Sequence, residues 1–154
     1  MMDLILWRHA EALDTQDPGE DLERALTPKG ERQAQRMAGW LNRQLPSSTR
    51  VLASPARRCQ QTAQALERKF KTTDSLAPGA TVESLLHAAR WPDAREPVLV
   101  VGHQPTLGEV AAFLLSGEDA PWSVRKGAVW WLTNRVRDGG AAVVLKVMIG
   151  PDFV

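Results

Sequence analysis

Leu4-Ile5-Leu6-Trp7-Arg8-His9 begins as an apolar run and ends on two polar side chains. A short apolar run bounded by polar or turn residues reads as a buried strand. The arrangement recurs as Val98-Leu99-Val100-Val101-Gly102-His103. It returns in shorter form as Val51-Leu52-Ala53-Ser54-Pro55, which leads into Arg57-Arg58. In an open, mostly parallel α/β sheet, ligands bind just beyond the carboxyl ends of the strands. Three such strands would bring Arg8, His9, an arginine of the 57–58 pair and His103 to one edge. That makes a small cationic cup, and its natural occupant is a phosphoryl group.

Outward from these strands the pattern alternates strand and helix. Residues 11–25 are polar and contain Asp17-Pro18-Gly19, a loop signal. Thr27-Pro28 predicts a helix start, with Thr as cap and Pro at the first helical position. Ala34, Met37, Ala38, Leu41 and Leu45 then follow at helical spacing, and Pro46-Ser47-Ser48 stops the helix. Pro55 is expected to open a second helix with Cys59, Ala63, Leu66 and Phe70 on its apolar face. Residues 72–76 read as a short edge strand, and 81–90 as a helix carrying Val82, Leu85, Leu86 and Ala89. Pro105 opens a last helix with Leu107, Val110, Ala111 and Leu114. Residues 127–133 and 141–149 are rich in Val and Trp around Asp138-Gly139-Gly140, which is a hairpin signal. Trp130 and Trp131 should face opposite sides of that sheet. The expected fold is α/β, a three-layer α/β/α sandwich whose central sheet is mostly parallel with an antiparallel edge.

The totals narrow the function classes. A chain of 154 residues that is 44% hydrophobic fits a single domain, 1–154, with a real core. A net charge of +1 sets up no large field toward nucleic acid or a membrane, so a basic site must be local. The lone Cys59 excludes an internal disulfide framework. Neither a signal peptide nor a stretch near the roughly 20 residues of a membrane span is visible. The expectation is a soluble, cytoplasmic monomer.

At this point the residues resemble a known family. Arg8-His9-Ala10 after an N-terminal strand is similar to the Arg-His-Gly signature of the histidine phosphatase superfamily. Leu26-Thr27-Pro28-Lys29-Gly30 with Gln33-Ala34, Ser54-Pro55 followed by Arg58 and Gln61-Thr62-Ala63, and Val101-Gly102-His103-Gln104-Pro105 resemble its later motifs, in order. The resemblance spans residue 4 to about residue 106. The short chain without a long insertion most resembles the SixA-type phosphohistidine phosphatases. The resemblance implies a phosphoglycerate mutase-like fold, a phosphohistidine intermediate on His9, and binding of the phosphoryl oxygens by Arg8, Arg58 and His103. Counting back from Thr62, the family's Arg-x-x-x-Thr pattern selects Arg58 over Arg57. Arg24 falls where SixA-type proteins place another arginine. Two departures stand out: Ala10 replaces the usual glycine, and Ser75-Leu76-Ala77-Pro78-Gly79 lacks the acid many members carry there. Glu11 is taken as the candidate proton donor, with Asp14, Asp17 and Glu83 as other carboxylates.

The chemistry follows from the residue types. A neutral imidazole is a good nucleophile toward phosphorus. Two nearby guanidinium groups should hold His9 unprotonated. Arginine's planar fork matches two phosphate oxygens at once. His103 would add a donor, protonated when a dianion is bound, and the helix beginning near Gln104 would offer backbone N–H groups. A phosphohistidine leaves as imidazole and needs less acid help than an alkoxide, so a site short of acid favours the phosphoramidate. The expected activity is therefore removal of the phosphoryl group from phosphohistidine on a protein domain, without metal or cofactor. A small-molecule phosphomonoesterase and a catalytically silent phosphate-binding scaffold are the alternatives. His87 matches no motif and reads as structural or exposed. Cys59 fits its helix stripe. A thiol phosphatase would need an arginine six residues later, where Ala65 stands. A metal held by His9, His87 and His103 would be repelled by the neighbouring arginines.

Overall fold

The computed structural model describes residues 1–154, the side chains of Val136, Arg137 and Ala141 excepted. Its strands are β1 (Met2–Arg8), β2 (Arg50–Ala53), β3 (Lys71–Thr72), β4 (Val98–Gly102), β5 (Val129–Arg137) and β6 (Gly140–Ile149). Its helices are α1 (Pro28–Gln44), α2 (Arg57–Gln64), α3 (Val82–Ala88) and α4 (Thr106–Ser116). One sheet orders the strands β3-β2-β4-β1-β5-β6. β3, β2, β4 and β1 run parallel, and β5 and β6 close the edge antiparallel.

Side-chain alternation along the strands builds the three layers. Leu4, Leu6, Val98 and Val100 pack with Leu85, Leu107, Val110 and Ala111 of α3 and α4. Ile5, Trp7, Leu99 and Val101 pack with Met37, Ala38, Leu41, Cys59 and Ala63 of α1 and α2 on the other face. β1 and β4 are covered on both sides, which is why they read as unbroken apolar runs. Trp130 and Trp131 go to opposite faces as expected. A register shift follows Trp131, where β5 slips by one residue against β6.

The caps and breaks are local. The Thr27 Oγ1 accepts the Gly30 N–H at 2.9 Å at the start of α1, with Pro28 in the first turn. Several boundaries differ from the sequence reading. α2 begins at Arg57, two residues after Pro55, and ends at Gln64. Leu66 and Phe70 therefore join the core from beyond the helix, past the left-handed turn at Glu67 (φ 55°). The expected 72–76 strand is only Lys71–Thr72, because Thr73 caps a 3-10 turn over Asp74–Leu76. α3 is shorter than 81–90, and β5 starts at Val129 rather than 127. The 11–25 loop holds a 3-10 turn, Pro18–Glu23, none of whose residues is buried. Among the described residues, no helix is long and apolar enough to cross a membrane.

Candidate active site

Strand register assembles the site. β1 and β4 pair in parallel with Arg8 opposite Gly102, so the next residues, His9 and His103, leave adjacent strands side by side. The His9 N–H donates to the Gly102 carbonyl at 3.2 Å. The two rings stand 5.3 Å apart, tilted by 58°. β2 pairs with β4 through Ala53 and Val101, which puts Ser54 beside His103. There the His103 Nε2 and the Ser54 Oγ lie 2.7 Å apart. Arg58, in the first turn of α2, reaches the same point, with a guanidinium N–H 3.4 Å from the His103 Nδ1.

Hydrogen bonds assign the ring protons. The His9 Nδ1 lies 2.8 Å from the Ala10 carbonyl, which can only accept. Nδ1 therefore carries the proton, and Nε2 keeps its lone pair. On His103 the Arg58 N–H can only donate, so Nδ1 accepts and Nε2–H donates to Ser54. Both rings are buried, at 6% and 4% exposure. Burial pushes His9 down to about 4; Arg58, Arg8 and Arg24 push the same way, against the Ala10 bond. Burial, then Arg58 and His9, take His103 down to about 3. Desolvation outweighs the guanidinium charges at His9, which corrects the weighting expected from sequence.

These shifts make acid sensitivity a prediction. Both histidines protonate far more readily in the unfolded chain, at the ordinary 6.5, than in the fold. The unfolded state therefore binds more protons below that value, and stability falls as pH drops from about 6.5 toward about 4. The urea midpoint in phosphate-free buffer should decrease from about pH 7 to about pH 5, and less steeply in His103→Gln. A flat wild-type profile over that range would contradict the assignment.

The arginines are anchored from outside the motifs. Arg8 donates to the Val124 carbonyl at 2.9 Å. Arg58, 3% exposed, donates to the Asp21 carbonyl at 2.8 Å and to its carboxylate at 3.2 Å. Arg24 donates to the other Asp21 oxygen at 3.1 Å and to the Leu13 carbonyl at 3.0 Å. Burial works upward on the Asp21 carboxyl, yet Arg58 and Arg24 outweigh it and hold it below its ordinary value. Asp21 is the residue the sequence reading missed. Its spacing of three from Arg24 was the only local signal. Thr62 ties the motifs together, since its Oγ1 accepts the Ala10 N–H at 3.1 Å and donates to the Arg58 carbonyl at 2.7 Å.

The structure brings Arg8, His9, Arg58, His103 and Arg24 together. Glu11 lies two residues after His9, but its carboxylate meets the Thr27 hydroxyl at 3.3 Å and the Lys29 ammonium at 3.9 Å. The Gln104 amide is satisfied within the chain, donating to the Trp122 carbonyl and accepting from Gly108 N–H. α4 starts at Thr106, with Pro105 at its cap. Arg57 and His87 are exposed. The Cys59 thiol is buried, 3.5 Å from the His103 Nε2, and burial pushes it up to about 12. Ala10 is fully buried, and the non-glycine residues at positive φ are Glu67 and Arg90, so alanine sits at position 10 without left-handed strain. The Nε of both Arg8 and Arg58 is buried without a hydrogen-bond partner in the described structure.

A model of the histidine phosphatase superfamily (branch 1) matches residues 4–80 of this chain. The chain belongs to that superfamily. Phosphohistidine phosphatase SixA of Escherichia coli K12 is 31% identical over 128 residues, 78% of either chain. A structure from Nakamurella multipartitia assigned as phosphohistidine phosphatase SixA superposes with a TM-score of 0.77 at 28% identity, covering 97% of this chain and 96% of that one. The protein histidine phosphatase SixA complexed with tungstate gives 0.76 at 26% identity and 99% coverage of both. As a member of this superfamily with SixA-like structural neighbours, the chain is supported as a phosphatase.

Proposed function

We propose that the protein removes the phosphoryl group from phosphohistidine on a protein domain, through a covalent phosphohistidine on His9. The observation that carries this reading is the pair of guanidinium groups, Arg8 and Arg58, anchored by Val124 and Asp21 and acting on an imidazole whose Nε2 lone pair is free.

In the first step the His9 Nε2 attacks phosphorus as the P–N bond of the substrate breaks, and the substrate imidazole, already protonated on its other ring nitrogen, leaves neutral. The Nδ1–H bond to the Ala10 carbonyl orients the ring and stabilises the positive charge it gains. Arg8 and Arg58 hold the phosphoryl oxygens, with Arg24 adding charge. His103, neutral in the phosphate-free fold, takes a proton at Nδ1 when a dianion arrives and becomes a further donor. These fixed charges supply the positioning and charge stabilisation that phosphoryl transfer requires. In the second step water attacks the phosphoryl group on His9. The second P–N bond breaks with its electron pair returning to Nε2, so His9 is restored neutral with its Nδ1 proton, and both water hydrogens leave with inorganic phosphate.

The bond made and the bond broken in the first step are of one kind, so no strong acid is needed. An alkyl ester would need a donated proton, and Glu11 would have to leave Thr27 and Lys29 to give it. The similarity to proteins named phosphohistidine phosphatase and protein histidine phosphatase supports the same substrate class.

The test compares kcat/KM for phosphohistidine with that for an alkyl phosphate. General acid catalysis contributes about 10²–10⁴-fold, so phosphohistidine should lead by at least about 10². A preference for the ester defeats the reading. Binding without turnover of either would establish the scaffold instead.

A further inference from the structure

Arg8 lines a second feature as well as the candidate active site. A cleft of about 950 Å3 opens beside it, lined also by Arg125, Lys126, Trp130, Met148 and Phe153. Its walls are tied to the end of β1. Gly127 N–H donates to the Arg8 and His9 carbonyls at 3.1 and 3.0 Å, and Arg8 holds the Val124 carbonyl. Gly127 sits at φ +76°, and a side chain there would meet Pro151 at 3.3 Å, so the Pro151–Phe153 turn packs directly over it. Trp130 and Met148 are cross-strand partners on one face of β5 and β6. The cleft thus adjoins the candidate site, and Arg8 is the residue the two share.

Its surface combines two properties. Met148 is 59% exposed and Phe153 83% exposed, large apolar groups left in water. Arg8, Arg125 and Lys126 face one lining carboxylate, Asp152. Among the described residues neither Arg125 nor Lys126 belongs to an ion pair. Exposed Met, Phe and Arg grouped beside the half-buried Trp130 are the composition of a protein-binding patch. The excess of positive charge selects an acidic partner.

We infer that this cleft docks an acidic, apolar polypeptide segment flanking the phosphohistidine of the substrate protein. The inference rests on the proposed function, because it places the scissile phosphoryl group at His9 and the flanking chain beyond Arg8. The cleft then sets which phosphohistidines are dephosphorylated, and the arginine–histidine cup carries the chemistry.

Two phosphohistidine peptides of equal length test it, one flanked by Glu and Leu and the other by Lys and Ser, with free phosphohistidine as the reference. The acidic, apolar peptide should have at least about tenfold higher kcat/KM than the basic one, with the gap narrowing at high salt. In Lys126→Glu/Phe153→Ala, both at exposed positions, its rate relative to free phosphohistidine should fall by a similar factor. Equal rates on the two peptides, or a preference unchanged in the double variant, overturn the docking surface. So does a response to the variant seen only with a small aryl phosphate, or a concentration-dependent dimer that the variant abolishes. Failure to turn over even free phosphohistidine overturns the proposed function, a result distinguishable from failure of the cleft alone.

Discussion

Replacing His9 with alanine should lower turnover of phosphohistidine by a factor on the order of 10³–10⁶, the range seen when a covalent nucleophile is removed. No other group stands ready to take over. The His103 Nε2 is held by Ser54, and its Nδ1 accepts from Arg58. The Cys59 thiol, pushed up to about 12, stays protonated at neutral pH. The anion site itself should survive, because Arg8 and Arg58 are anchored through Val124 and Asp21 rather than through His9. Inorganic phosphate should therefore still raise the Tm of the variant. Acid-labile phosphoenzyme should form in the wild type and not in the variant. Turnover within tenfold of wild type would remove His9 as the nucleophile.

Gly108→Ala should destabilise the fold by at least ~3 kcal/mol, at the upper end for overpacked interiors. A Cβ built there lies 1.6 Å from the Trp122 carbonyl oxygen and 3.0 Å from the Gln104 Nε2. The obstacle is backbone, so α4 and the segment after it must separate. That separation breaks the Gln104 bond to the Trp122 carbonyl and strains the bond from Gly108 N–H to the Gln104 Oε1. The damage should reach the site, because the same segment carries the Val124 carbonyl that holds Arg8. Urea denaturation and kcat/KM measured together check both effects. Gly39→Ala is the control. It is also helical, but its Cβ would meet nothing nearer than the Arg43 guanidinium at 3.6 Å, and it should be neutral or mildly stabilising. Equal stability of the two variants would refute the close-approach argument.

Much of the site was legible because strands end where apolar runs end. Arg8, His9 and His103 follow their runs directly, and parallel pairing in register then makes them neighbours. The resemblance to the family's Arg-x-x-x-Thr pattern singled out Arg58 over Arg57, and the two differ in burial, Arg58 buried and Arg57 exposed. Helix limits were less legible. α2 stops at Gln64 because the chain turns left-handed at Glu67, although apolar residues continue to Phe70. Asp21 was invisible for a different reason. It reaches Arg58 across 37 residues from a turn with no apolar pattern of its own. Glu11 lies two residues from the nucleophile in sequence, yet that closeness did not decide where its carboxylate points.

The sequence by itself determined the layer order, the two faces of each strand and the set of cations at the strand ends, because backbone periodicity and turn chemistry act over a few residues. Only the tertiary structure decided which carboxylate grips Arg58, which nitrogen of His9 is free, and how far its ring is held from protonation. Those properties depend on desolvation and on hydrogen bonds made by segments distant in the chain, and neither is encoded in local spacing.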